Sequence, residues 1–285
     1  MYDMENSGAV AFSDGINSIQ SSGILLKALQ YVKAIDKVII QVPDDTSIHT
    51  HGLMNEGVVS TGLGLPGKPA IAEELMIARD LELLEYTGSR LHITGVSTAK
   101  GIDAIRKAKK ASLTVTCAVT PYHLLFCDED LAGYDTNLKV NPPLRTAADR
   151  EALREAVRDG TVDCIATHHT PQNADHKVVE FEYAREGMIG LQTSFAAVRK
   201  SLPDLDATNL VAVFSSNAGR IFGLKQNAIA EKEPANLSLF NMNAQWTFEL
   251  EENFSRSHNS PFFGTTFIGK PLGIINKDKL ILNQL

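Results

Sequence analysis

The chain has 285 residues, 44% hydrophobic and 21% charged, which suits one large soluble domain and excludes a disordered or fibrous class. Its 27 basic and 34 acidic residues leave a net charge of −7, and no basic run offsets it, which argues against nucleic acid or a membrane surface as partner. No apolar stretch reaches the roughly 18 residues of a membrane span and no leader is visible at the start; Cys117, Cys127 and Cys164, odd in number and without CxxC spacing, read as reduced, mostly buried thiols of a cytoplasmic protein.

In chain order, "GAVAFSD" (8–14) predicts a short buried strand. "SSGILLKALQYVKAI" (21–35) follows with Ile24, Leu25, Ala28, Leu29 and Val32 at helical spacing. "KVIIQVP" (37–43) is a second strand. "PAIAEELMIARDLELLEYTG" (69–88) is a helix that opens on Pro69 and closes at Gly88. "RLHITGVS" (90–97) is a strand, and 98–112 a helix that Thr98 caps. "LTVTCAVT" (113–120) and "VDCIATHH" (162–169) are strands on either side of a helix at 146–160. Helical stretches at 187–201 and 206–222 follow.

These strands are apolar on both faces and alternate with helices, the pattern of a parallel sheet covered by helices. After Leu224 the texture changes to short β-like runs, "NLSLFN", "QWTFEL", "TTFIGKPLGIIN" and "KLILN". The expected division is an α/β part at 1–224 and a small β-rich segment at 225–285 packed on it. Five strand–helix units are visible, where a (β/α)₈ barrel has eight in roughly 250 residues. The pattern fits either an open doubly wound sheet or a barrel without its first three units.

Ligands in such folds meet the carboxyl ends of strands. Here those ends carry Asp14, Gln41 to Asp45, Gly95 to Ser97, Thr120 to His123, and His168–His169. The connection "YDTNLKVNPPLRT" (134–146) presents Asn141 and Arg145 around Pro142 and Pro143, whose fixed backbone suits substrate recognition. A hydrolytic metal site needs several His or carboxylate ligands. Asp14, His168, His169 and His123 are the candidates, while Gln41 and Gly95 offer no imidazole. Each has a plainer reading. Asp14–Gly15 can be only a turn, and adjacent histidines on a strand point to opposite faces. His49 and His51 read as solvated loop residues, "KAKK" (107–110) as a solvated helix face, and Trp246 as a core anchor.

Several longer stretches carry a family resemblance: "GAVAFSDG", "LMNEGVVSTGLGLPGKPAIAEELMIARDLELLEYTGSRLH", "VSTA", "TPYHLL", "YDTNLKVNPPLR" and "DGTVDCIATHHTPQ". Together they resemble dihydroorotases of the multifunctional-complex type, in the amidohydrolase superfamily. The resemblance covers most of 8–224 and extends into the β-rich tail. It implies a (β/α)₈ barrel, of which this chain carries about the last five units, with zinc at the strand ends. It also implies interconversion of N-carbamoyl-L-aspartate and dihydroorotate in pyrimidine synthesis, with metal-bound hydroxide as nucleophile and an aspartate as proton shuttle.

Carried over by position, the family's first-strand HxH has no counterpart here. Asp14 matches the acidic "DDG" with one Asp missing. The histidine of "HAED" falls on Gln41, the histidine of "HVSTA" on Gly95, and the catalytic aspartate of "DHAPH" on His168. Two substrate contacts persist, the following histidine as His169 and the asparagine of "NPPLR" as Asn141, with Arg145 beside it. The resemblance therefore implies an impaired enzyme in which zinc is absent or weakly bound, with Asp14 and His168 as the remaining weak metal candidates. The alternatives are a non-catalytic scaffold for aspartate transcarbamoylase or a small-molecule binder. The open sheet edges imply either that the sequence is part of a longer chain or that it self-associates through them.

Overall fold

The computed structural model describes residues 1–225 and 229–283. The β-rich segment expected at 225–285 thus includes positions 226–228, 284 and 285, which lie outside the described residues. The chain opens with α1 (Tyr2–Asn6), β1 (Ala11–Phe12), α2 (Ser22–Ala34) and β2 (Val38–Gln41). Next come β3 (Met54–Asn55), α3 (Val58–Leu63), β4 (Gly67–Lys68), α4 (Ile71–Thr87) and β5 (Leu91–Thr94). Then follow α5 (Ala99–Lys110), β6 (Val115–Val119), α6 (Pro121–Leu125), α7 (Ala147–Arg158) and β7 (Cys164–Ile165). The remainder is α8 (Ser194–Ser201), α9 (Ala207–Val211), α10 (Asn217–Ile221), β8 (Asn236–Phe248), β9 (Thr265–Asn276) and β10 (Lys279–Leu282).

β1, β2, β5, β6 and β7 pair in that order, all in parallel, in register Ala11↔Val38, Ile39↔Leu91, Leu91↔Val115 and Ala118↔Cys164. Their side chains share one core with the inner faces of α2, α4, α5 and α7, including Leu29, Ile39, Ile77, Ile93, Ile105, Val119 and Leu153. In α2 the buried Leu25, Ala28, Leu29 and Val32 form a single stripe and Ser21 caps the start by accepting from the Ile24 amide. Ile24 itself is exposed. Full burial of a residue such as Leu25 or Leu29 contributes about 1.5–3 kcal/mol, so the stripe outweighs the modest propensity of the helix alone.

Local chemistry sets the helix ends that point to the strand tips. Thr98 caps α5 by accepting from the Gly101 amide at 3.1 Å. Glu73, buried on α4, adds to it by accepting from the Ser97 and Thr98 amides, both at 2.9 Å, and from both hydroxyls. A carboxylate there satisfies orphan amides and suits the positive end of the helix. Gly88 closes α4 with φ +57°. Pro69 is not at the first position of α4: the cap is Ala70 and the helix begins at Ile71.

Three expected elements are shorter or broken. The strand read at 162–169 pairs only over Cys164–Ile165, because the chain turns away and His168 takes φ +41°. The helix read at 187–201 begins at Ser194: Gly187 sits at φ +113°, and 188 lies extended, bridging in parallel to His169. The helix read at 206–222 divides into α9 and α10 around a wide π turn at 212–216. The short β3–β4 pair was not legible as strands, each contributing only two residues.

The C-terminal runs join into longer strands. β10, β9 and β8 form an antiparallel sheet, with bulges between Leu239 and Phe240 and between Asn241 and Gln245. Trp246, Phe248, Phe262 and Phe267 pack with Tyr122, Leu138, Ala196 and Ala197, so this sheet is fixed to the α/β part by an aromatic core. Trp246 is a core anchor, its indole donating to Gly269 O at 2.9 Å. The three cysteines are buried and unpaired. Among the described residues no helix is long and apolar enough to cross a membrane.

Candidate functional site

The tips of β2, β5, β6 and β7 and the 139–146 connection converge on one side of the parallel sheet. A cavity of about 770 Å³ opens there, lined by Thr94, Tyr122, Asn141, His168, His169 and Glu186 among others. Its volume is that of a small-molecule site. A more open cavity of about 790 Å³ adjoins it, sharing Asn141 and Glu186 and adding Asp44, His49 and Lys68. A third cavity, about 500 Å³, lies between α8 and the antiparallel sheet and touches the first group only at His169.

His168 and His169 line the same cavity. Strand alternation does not separate them, because the strand has ended by Ile165 and His168 has left-handed backbone. His168 Nε2 lies 2.9 Å from the Thr94 hydroxyl, and burial pulls its pKa down. His169 Nδ1 accepts from the amides of Gly190 (3.1 Å) and Leu191 (3.4 Å). With Nδ1 so engaged, the neutral ring carries its proton on Nε2, a donor; burial lowers this pKa too.

Asn141 also reaches the cavity, and Lys68 holds it by donating to Oδ1 at 2.8 Å. Its amide nitrogen is therefore the free end. Lys68 is buried and donates as well to Asp44 Oδ2 at 2.7 Å, whose other oxygen lies 2.9 Å from His49 Nε2. His49 is thus half-buried and carboxylate-bound rather than a solvated loop residue; His51 is exposed as expected. The loop below Asn141 is held by His123. Burial drives the His123 pKa down to about 3, so the ring is neutral. Its Nε2 donates toward the Pro142 and Pro143 carbonyls at 3.1 and 3.2 Å, and Nδ1 faces Thr120 Oγ1 at 2.8 Å. His123 is a buried strut, not an open ligand.

The other sequence candidates lie elsewhere. Arg145 is 3% exposed and turns inward. It donates to Ser97 Oγ (3.1 Å), Asn55 Oδ1 (3.0 Å) and Lys68 O (2.8 Å), with Glu73 at 4.0 Å. It ties β3, β4, α4 and the start of α5 together and does not line the cavity. Asp14 is exposed, and its neighbours Gly15 and Ile16 reach the cavity wall instead. Gln41 is 1% exposed and is bonded back to Ile19, accepting from its amide and donating to its carbonyl, each at 3.4 Å. Gly95 lies at φ +73°, and a Cβ there would sit 2.6 Å from His168 Cε1. The sequence reading passed over Thr94, Lys68 and Glu186. Nothing periodic marks them, and the partners that place them are distant in sequence.

The fold matches solved structures of hydantoinases. A D-hydantoinase (dihydropyrimidinase) from Thermus sp. superposes with a TM-score of 0.84 at 17% identity, over 99% of this chain and 66% of that one. The L-hydantoinase of Arthrobacter aurescens gives 0.83 at 22%, over 99% and 66%. This likeness shows an amidohydrolase-type α/β fold with a parallel sheet. At the level of sequence, the family model "Dihydro-orotase-like" matches residues 1–101. A dihydroorotase of Syntrophus aciditrophicus is 38% identical over 284 residues, covering 99% of this chain and 67% of its own length. The chain belongs to the dihydroorotase family. A second dihydroorotase, from Ruminiclostridium cellulolyticum, is 41% identical over 272 residues, 94% of this chain and 64% of that protein. This dihydroorotase-family chain spans about two thirds of the length of the curated relatives it matches.

The family resemblance implies zinc, and the donors present do not fit it. A catalytic zinc needs three or more His, Cys or carboxylate donors converging on one point. Among the described residues of this dihydroorotase-family chain, no three such side chains do so. Gln41 is turned to Ile19, position 95 has no side chain, and His168 faces a threonine.

Proposed function

We propose that this dihydroorotase-family protein keeps a recognition site for a small ureide, of the kind interconverted in pyrimidine synthesis, while its cyclic-amide hydrolysis is impaired. One observation carries the reading. The three positions that correspond to metal ligands and catalytic carboxylate hold a backbone-bonded Gln41, a glycine whose side-chain space is filled, and a neutral His168. Without a metal-activated water and an anionic base, two effects each worth ~10²–10⁴ in rate are absent. Asn141 and His169 remain in the cavity with free donors. On this reading zinc is absent or weakly held: of the two weak ligand candidates His168 lines the cavity and Asp14 stands exposed outside it. The parallel strands are the last five units of a (β/α)₈ barrel over 1–224, and 225–285 is the β-rich part packed on it. The unpaired thiols suit a reducing cytoplasm.

The test is zinc content after metal reconstitution, together with dihydroorotate hydrolysis and binding. Substoichiometric zinc, turnover at least ~10³-fold below an active dihydroorotase, and measurable ureide binding are expected. Stoichiometric zinc with turnover that disappears in His169→Ala would overturn the reading. A second reading, a non-catalytic scaffold for aspartate transcarbamoylase or for another copy of this chain, is favoured by the position of β1 and β7 at the two edges of the parallel sheet. Co-purification of the transcarbamoylase, or a defined homo-oligomer, supports it.

A further inference from the structure

Glu186 is half-buried at the wall between the two adjoining cavities and lines both. The Glu186 carbonyl and the backbone on either side of it are held by hydrogen bonds, and its carboxylate is not. Two buried lysines clamp the chain around it: Lys139 Nζ donates to the carbonyls of Phe181 (2.8 Å) and Glu182 (2.9 Å), and Lys177 Nζ to those of Arg185 (2.8 Å) and Gly187 (3.1 Å). The Glu186 carbonyl accepts from Gln172 Nε2 at 2.9 Å. The Gly187 amide donates to Lys139 O at 2.8 Å, and its carbonyl accepts from Asn259 Nδ2 at 3.0 Å. At Gly187, φ is +113° and a Cβ would lie 2.6 Å from Thr170, so the loop passes too close to its neighbour for another residue there.

The carboxylate at the centre of this frame accepts no hydrogen bond from any described residue; burial raises its pKa, and the charges of Lys68 and Lys139 oppose that rise and favour the carboxylate form. Two buried cations within a short loop are costly to desolvate unless they hold something in place. What they hold is a preorganised acceptor facing a cavity. Across that cavity stand donors, the Asn141 amide nitrogen and His169 Nε2, because Lys68 and the Gly190 and Leu191 amides have taken the acceptor ends of those two side chains.

We propose that Glu186 is the ligand's acceptor in this cavity: it takes an N–H of a small ureide whose carbonyl oxygens face Asn141 and His169. This rests on the reading of the cavity as a ureide site and adds to it the group that distinguishes a ring N–H from a substituted nitrogen. A charge-assisted N–H···O⁻ bond is stronger than a neutral one, and replacing the N–H by a methyl group leaves a partly desolvated carboxylate without a partner.

The experiment measures calorimetric binding of 5,6-dihydrouracil and of its N,N′-dimethyl derivative to the full chain. The wild-type protein is expected to prefer the unmethylated ring by about tenfold or more. In Glu186→Leu the two rings should bind within about twofold of each other, and Glu186→Gln, which keeps one acceptor oxygen, should fall between. Asn141→Ala is the reference: it should weaken both rings together and leave their ratio as in the wild type. If Asn141→Ala weakens binding but the ratio is the same in Glu186→Leu as in the wild type, the role of Glu186 is overturned and the site reading stands. If the wild type binds neither ring, both are overturned.

Discussion

The imidazole of His168 occupies the space that a side chain at position 95 would need. A Cβ on Gly95 would fall 2.6 Å from His168 Cε1 and 3.4 Å from Pro142 Cδ. Position 95 follows β5 and position 168 lies beyond the end of β7, with β6 between the two strands, and the ring is fixed there by its bond to Thr94. The glycine and the histidine are therefore one packing arrangement, in which the imidazole reaches the strand tips from position 168.

Gly95→Ala tests that arrangement. The left-handed φ costs an L-residue about 1–2 kcal/mol, and the overlap with His168 adds about 1–3 kcal/mol. A loss of about 2–5 kcal/mol is expected in urea denaturation. Combined with His168→Ala, the overlap disappears and the φ cost remains, so the double variant should lose less than the sum of the two single losses. Simple additivity would mean that the ring does not fill that space in solution.

The pH dependence of stability has a sign set by two buried histidines. Burial lowers the pKa of His92 to about 4 and that of His123 to about 3, from an ordinary 6.5. The folded chain keeps both neutral where the unfolded chain takes up protons. Their contribution is complete above pH 6.5 and is lost as the pH falls toward 4, by up to about 1.4 kcal/mol per pH unit for each ring. Asp80, raised to about 6 by burial, works in the opposite sense between 3.8 and 6, because its folded carboxyl retains a proton. Denaturant titrations from pH 4.5 to 7 should show the slope, and His92→Leu should remove one histidine's share. An unaltered slope in that variant would mean His92 is charged in the fold.

Arg145 is expected to affect stability before it affects ligand. It is 3% exposed and joins Ser97, Asn55 and the Lys68 carbonyl. Removing one member of such a buried charged network costs about 3–5 kcal/mol. Arg145→Met should lower the melting temperature strongly, and any folded fraction should bind ureide with near wild-type affinity. A well-folded variant that had lost only binding would place the guanidinium in the recognition site instead.

Much of this protein was legible in its sequence. The alternation of apolar strands with stripes such as Leu25–Ala28–Leu29–Val32 determined a parallel, helix-covered sheet, because burial on one face imposes a period that composition displays. Side-chain identity also settled which donors are missing, since no fold can give Gly95 an imidazole. Orientation was not legible. It took the folded chain to bring His168 and His169 to one cavity, turn Arg145 inward, bind His49 to Asp44, and set the Glu186 carboxylate beside two lysines with no hydrogen bond from any described residue. Each of these follows from backbone leaving its regular strand or helix, or from partners far apart along the chain, and neither leaves a periodic trace in the sequence.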